Sequence, residues 1–352
     1  MTDRLLKGLV VGLGAMGGFH LRVLAGMPDR VELVGAIDPN EERRANAAGL
    51  YPHVPIFPDL ASALAADRAD FAALAVPVQH LPGIAKEAIS SGLSVMVEKP
   101  MALDEELALG IMRAGGEAGV VLSVGHVERF NPAVIALQER LRAGDAGRIY
   151  QIHARRLSPF PFRESMAGVA LDLATHDIDV IRYLTGQEVA RVYAETASRS
   201  PTTAEDLLSA SLRLDDDTTC VLEVNWLTPA KVRTLSVTAE AGMFVVDYLT
   251  QDLYFHENPR VGIDWDALAV LRGTGEGNMT RFAIDRREPL RLEWEAFVTA
   301  VHGDAPPAVS GFDGLAAMST ALAIQRSGQE HIPVEPGYRT SALAGTGPDS
   351  TG

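Results

Sequence analysis

Short apolar runs alternate with apolar stripes at helical spacing through the first third of the chain. Residues 8–11 form the first run, and Met16, Phe19, Val23 and Leu24 mark a helix over about 15–27. Strand-like runs follow at 31–37, 56–57, 71–76, 95–97 and 120–124, with helical patterns at 60–66, 80–90 and 104–118 between them. Runs apolar throughout, rather than alternating, are those of parallel strands covered on both faces. Six strands with crossover helices predict a doubly wound α/β domain over residues 1–125.

The rhythm then changes. A helix is expected over 132–142, an alternating strand over 148–157 and a helix over 170–184. Strand-like runs follow at 189–197, 207–214, 219–226, 232–239, 243–247 and 253–255, and two helices at 290–301 and 313–324. This order predicts an α+β second domain over 126–337, with a mostly antiparallel open sheet. The small polar residues of 338–352 predict a disordered tail.

Composition narrows the function. A chain of 352 residues exceeds the size at which single cores stop growing. Its net charge of -15 argues against nucleic acid and anionic membranes as partners. One cysteine, Cys220, cannot form an internal disulfide, and no apolar stretch approaches a membrane span, so a cytoplasmic protein is expected.

Gly12-Leu13-Gly14-Ala15-Met16-Gly17 sits between the first strand and its helix. There the glycines permit a tight turn, close approach of a pyrophosphate to the backbone, and helix–strand packing. Asp38, about 20 residues on, ends the second strand where a carboxylate meets the ribose hydroxyls of NAD. A helix cap is the competing reading of Asp38, and the two roles are compatible. Arg43 and Arg44 follow in that helix and would temper a preference for NAD over NADP. Pro77 and His80, after the fourth strand, fall near a cofactor on this topology; for His80, a helix cap is the competing reading.

Lys99 ends an otherwise apolar strand, in Val97-Glu98-Lys99-Pro100. Ligands of open α/β sheets bind beyond the carboxyl ends of strands, so an ammonium there meets cofactor and substrate, or simply emerges into solvent. On the helix over 170–184, Asp172, His176 and Asp179 share one stripe, with Leu171, Ala174, Ile178 and Ile181 nearly opposite. The polar stripe faces either a cleft or solvent. An Asp one turn before a His orients the imidazole as a base. No His/Cys cluster with ligand spacing accompanies the pair, so no metal is expected.

The Gly12–Gly17 loop, Glu98-Lys99-Pro100 and Asp172-x-x-x-His176-Asp177 together resemble the family of glucose–fructose oxidoreductase, inositol dehydrogenase and MocA. The likeness runs to about residue 334. It implies NAD as cofactor, held by Gly12, Gly14, Ala15, Met16, Gly17, Asp38, Pro77, His80, Glu98 and Lys99. It also implies Lys99, Asp172 and His176 around the reacting sugar carbon, with either Lys99 or His176 as the base, and a homo-oligomer built on the second sheet. Gly168-Val169-Ala170-Leu171 departs from the usual glycine run, and Val76-Pro77 from the usual Thr-Pro. A finer resemblance, in Gly125–Pro132 and Leu171–Asp179, is to members that oxidise C3 of UDP-N-acetylglucosamine. It implies Arg129, Arg155, Arg156 and Arg163 as diphosphate ligands and Asn131 as a sugar ligand. An inositol 2-dehydrogenase and a non-catalytic NAD-sensing protein are the alternatives.

Overall fold

Buried aliphatic runs pair as parallel strands in the first sheet: β1 (Leu6–Val11), β2 (Val31–Ile37), β3 (Ile56–Phe57), β4 (Phe71–Leu74), β5 (Ser94–Glu98) and β6 (Leu122–Gly125). Their order is β3-β2-β1-β4-β5-β6, the doubly wound arrangement expected. The computed structural model describes residues 4–161, 167–200, 204–258 and 277–340. Helices α1 (Ala15–Ala25), α2 (Glu41–Leu50), α3 (Leu60–Ala66), α4 (Leu81–Ser90) and α5 (Glu105–Ala118) join the strands. Asn40, Asp59 and Asp104 cap α2, α3 and α5 by accepting from the backbone N–H three residues on. Phe19, expected in the core, is exposed.

After a 3₁₀ turn (Val127–Phe130) come α6 (Pro132–Arg142) and β7 (Ile149–Leu157). The helix expected over 170–184 is divided. It opens as a π-helical turn (Ala170–Ala174) and continues as α7 (Thr175–Thr185). Then come β8 (Val189–Ala197), β9 (Leu207–Leu214), β10 (Thr219–Asn225), β11 (Val232–Ala239), β12 (Gly242–Asp247), β13 (Asp252–Glu257) and β14 (Met279–Arg281). They form an eight-stranded sheet, β14-β13-β12-β11-β7-β10-β9-β8. Among the described residues, only β7 and β10 pair in parallel; the other neighbours are antiparallel. Cys220 lies buried on β10, and burial pushes its thiol up to about 12, which leaves it protonated and inert.

Helices α8 (Pro289–His302), α9 (Gly311–Glu330) and α10 (Gly337–Thr340) close the chain. The two compact units are not the two successive stretches expected. The first takes residues up to Val127, Glu288–Ser319 and the chain from Gly337; the second takes Glu128–Arg287 and Thr320–Pro336. The reason is aromatic packing. Trp294 and Phe297 of α8 are buried against Phe71 of β4, with ring centroids 5.5 and 5.6 Å away. The disordered tail expected from residue 338 does not begin there, because α10 buries Tyr338 against Phe312; residues 341–352 lie outside the described residues.

Candidate active site

In the first unit the glycine loop is shaped by steric need. Gly12 has φ +90°, and a Cβ on Gly17 would stand 1.7 Å from the Gly12 carbonyl oxygen. Gly14 is the N-cap of α1, with no capping side chain and open space where a Cβ would be. The N–H groups that start α1 are therefore free of a side-chain cap and face room for an anion. Asp38 is buried. Its Oδ2 accepts from the Leu13 N–H at 2.7 Å and its Oδ1 from the Asn40 N–H at 2.8 Å, which ties the loop to the end of β2. The α2 cap, the competing reading of Asp38, belongs to Asn40. Arg43 stands 3.5 Å from Asp38, and Arg44 donates to the Asp38 and Pro39 carbonyls, so both arginines are turned to the acid and its backbone. These residues fit a dinucleotide: a glycine cradle, an uncapped helix N-terminus and a carboxylate at the ribose position. Gly17→Ala is expected to raise the NAD dissociation constant at least about tenfold, read by calorimetry. Unchanged affinity would remove the loop from the cofactor site.

Pro77 and His80 are exposed beyond β4, and His80 heads α4 as its N-cap residue. Glu98 closes β5 with Lys99 half-buried after it. Two groups that the sequence pattern did not single out hold Glu98. Trp294 Nε1 donates to His20 Nδ1 at 3.0 Å, and His20 Nε2 lies 2.8 Å from Glu98 Oε1. Indole N–H only donates, so His20 Nδ1 accepts and Nε2 carries the hydrogen given to Glu98. The His20 and Trp294 side chains are completely enclosed. Their separation of 274 residues explains why no local pattern announced them.

In the second unit, every residue from Ala170 to Leu184 is buried except Asp172, His176 and Tyr183, which are partly exposed. The expected stripe of three is thus corrected. Asp179 faces inward and accepts from Arg129 Nε at 2.7 Å and Nη2 at 2.6 Å. The π turn, with its wider spacing, breaks the simple 3.6-residue phase on which the stripe relied.

Most of the expected anion ligands are corrected as well. Arg129 is committed to Asp179 and lies over the Tyr183 ring. Arg156 is buried on β7. Its Nε and Nη2 donate to Asp177 at 2.7 and 3.1 Å, and its Nη1 to Glu128 at 2.9 Å. These carboxylates outweigh burial and hold its pKa above the ordinary arginine value. Arg155 lies on the other face of the sheet, exposed and paired with Glu223. Asn131 is a buried cap of α6 that also donates to the Tyr248 carbonyl at 3.0 Å. Arg163 lies outside the described residues. Among the described residues, no group of three or more His, Cys, Asp or Glu side chains could hold a metal ion, and no helix is long and apolar enough to cross a membrane.

Comparison with known proteins places the chain in a family. Residues 6–126 match the model of the oxidoreductase family with NAD-binding Rossmann fold, and residues 134–245 the GFO/IDH/MocA C-terminal domain. A myo-inositol dehydrogenase of Streptomyces leeuwenhoekii is 32% identical over 72% of this chain and 78% of its own length. The UDP-N-acetylglucosamine 3-dehydrogenase of Acidithiobacillus ferrooxidans is 27% identical over 90% of this chain and 95% of its own. Its solved structure superposes with a TM-score of 0.81 over 92% of this chain and 98% of that one. The WlbA dehydrogenase of Bordetella pertussis, solved with NADH and UDP-GlcNAcA, is 26% identical, with a TM-score of 0.77 over 95% of this chain and 99% of that one. This chain therefore belongs to the GFO/IDH/MocA family and is an NAD-dependent sugar oxidoreductase.

Proposed function

We propose that the enzyme oxidises a ring secondary alcohol of a nucleotide sugar to a ketone, at C3 of a UDP-N-acetylglucosamine-type substrate. The observation that carries this reading is the pair Asp172 and His176, partly exposed one turn apart in a stretch, 170–182, that is otherwise buried. The substrate class is supported by the two relatives above that match nearly the whole chain and whose names or bound ligands are UDP-sugars. Bound NAD supplies the hydride acceptor, held by the Gly12–Gly17 loop and Asp38.

The protein's own groups then handle the proton and the charge. His176, steered by Asp172, takes the hydroxyl proton as the carbinol hydrogen leaves; a well-placed base is worth about 10²–10⁴-fold. Lys99 donates to the same oxygen and stabilises the alkoxide charge that develops on it. The Trp294–His20–Glu98 chain of hydrogen bonds keeps the end of β5, and hence the backbone that carries Lys99, in one place.

An inositol dehydrogenase is the second reading, favoured by the 32% identity to the Streptomyces enzyme. A screen for NADH formation separates them. UDP-N-acetylglucosamine is expected to be turned over in preference to free hexoses and to myo- and scyllo-inositol, and preference for an inositol would reverse the assignment. The proposal includes a homo-oligomer in the cytoplasm. Gln151, Arg155, Ser209 and Ser211 leave the outer face of the second sheet exposed, and the lone buried thiol suits a reducing compartment.

A further inference from the structure

We infer that Arg233 is the substrate's anion-binding residue, its guanidinium taking a phosphate or carboxylate oxygen of the sugar substrate. The inference rests on the functional reading above, since it takes Asp172 and His176 to line the sugar site. Among the described residues, the arginines expected to hold an anion are already taken. Arg129, Arg155 and Arg156 are each spent on a carboxylate of the protein. An oxyanion needs a donor whose hydrogen bonds are not already committed.

Arg233 is near the start of β11, where it pairs in register with Arg156 of β7. Leu235 and Val237 share its side of the strand by alternation, and both are buried. Arg233 therefore belongs to the inner face with Arg156, at the sheet end where that face runs out. The Asn225 side chain fixes the approach to β11 by accepting from the Leu227 and Thr228 N–H groups, each at 3.0 Å. The Arg233 side chain is 31% exposed, so its head is within reach of a ligand.

Its donors are unspent. Nε is shut off from solvent and finds no hydrogen-bond partner among the described residues. The one ion pair, to Glu128 Oε1, is 3.7 Å long, beyond hydrogen-bond range, and that oxygen already accepts from Arg156 at 2.9 Å. A buried donor left so is costly and asks for an explanation, and an incoming acceptor supplies one. Burial and the neighbouring Arg156 push the Arg233 pKa down, while Glu128, Asp177 and Asp172 push it up. Asp172, taken here to line the sugar site, is among the carboxylates whose charge acts on Arg233.

The test compares Arg233→Met and Arg233→Lys with the wild type on three substrates: UDP-N-acetylglucosamine, its C6 uronic acid, and uncharged myo-inositol. The NAD dissociation constant serves as the control for folding. Arg233→Met is expected to raise KM at least about tenfold on a charged substrate, with kcat falling less, and Lys to restore part of the loss. A rise on both nucleotide sugars assigns Arg233 to the diphosphate, and a rise on the uronic acid alone assigns it to the carboxylate. Wild-type KM on both overturns the inference, as does a fall in kcat with KM unchanged. Should the wild type oxidise only inositol, it is the nucleotide-sugar reading that fails. UDP is then used as an inhibitor: inhibition of the wild type but not of Arg233→Met upholds the anion site, and any other result overturns it.

Discussion

Replacing Lys99 with Met or His176 with Ala is expected to lower kcat by about 10²-fold or more, with NAD affinity within about twofold of wild type. Neither residue belongs to the glycine cradle or the Asp38 site, so the loss falls on the chemical step. The pH profile separates their roles. A base must start unprotonated, so the activity it supports is lost as pH falls through its pKa in the free enzyme. His176→Ala is therefore expected to flatten the acid limb of kcat/KM, and Lys99→Met to keep it at reduced height. If the acid limb vanishes in Lys99→Met and persists in His176→Ala, the lysine is the base. Wild-type turnover in either variant removes that residue from the mechanism.

Arg156→Met is expected to destabilise the second unit by about 3–5 kcal/mol, the usual cost of leaving buried carboxylates without their cation. Asp177 is completely enclosed, and Glu128 retains only the long pairing with Arg233. In a unit of this size such a loss lowers Tm by on the order of 10 °C, read by calorimetry on the whole enzyme. The double change Arg156→Met with Asp177→Leu is expected to recover part of the loss, because the fully enclosed Asp177 charge is then gone and Glu128 alone remains, with its long pairing to Arg233. If Arg156→Met melts with the wild type, the network is not structural, and Arg156 returns as a candidate ligand.

The first sheet was legible because parallel strands buried on both faces read as apolar runs, and because Gly12, Gly17 and Asp38 answer local needs of one turn. The polar stripe read from the sequence held Asp172 and His176, which are partly exposed, and Asp179, which is buried like Asp177 beside it. The roles of the arginines were not legible. Arg129 and Arg156 look like anion ligands in the sequence, yet their partners, Asp179 and Asp177, come from a helix some 20–50 residues away. Asp179 itself was misread because periodicity assumes an unbroken α-helix, whereas a π turn precedes α7. Placing residues 290–301 in the second domain failed for a similar reason. An amphipathic helix shows that it has a buried face, but not that Trp294 spends that face on Phe71 and His20. Arg233 shares the phase of Leu235 and Val237 in its strand, but that alternation does not show which residue it lies beside; the register with Arg156 does.

The most direct measurement is a crystal structure of the enzyme with NADH and UDP-N-acetylglucosamine. The account predicts the Lys99 ammonium and a ring nitrogen of His176 both within about 2.6–3.2 Å of the sugar's 3-oxygen. A complex in which either group faces away from that oxygen, with the nicotinamide in place, would contradict it.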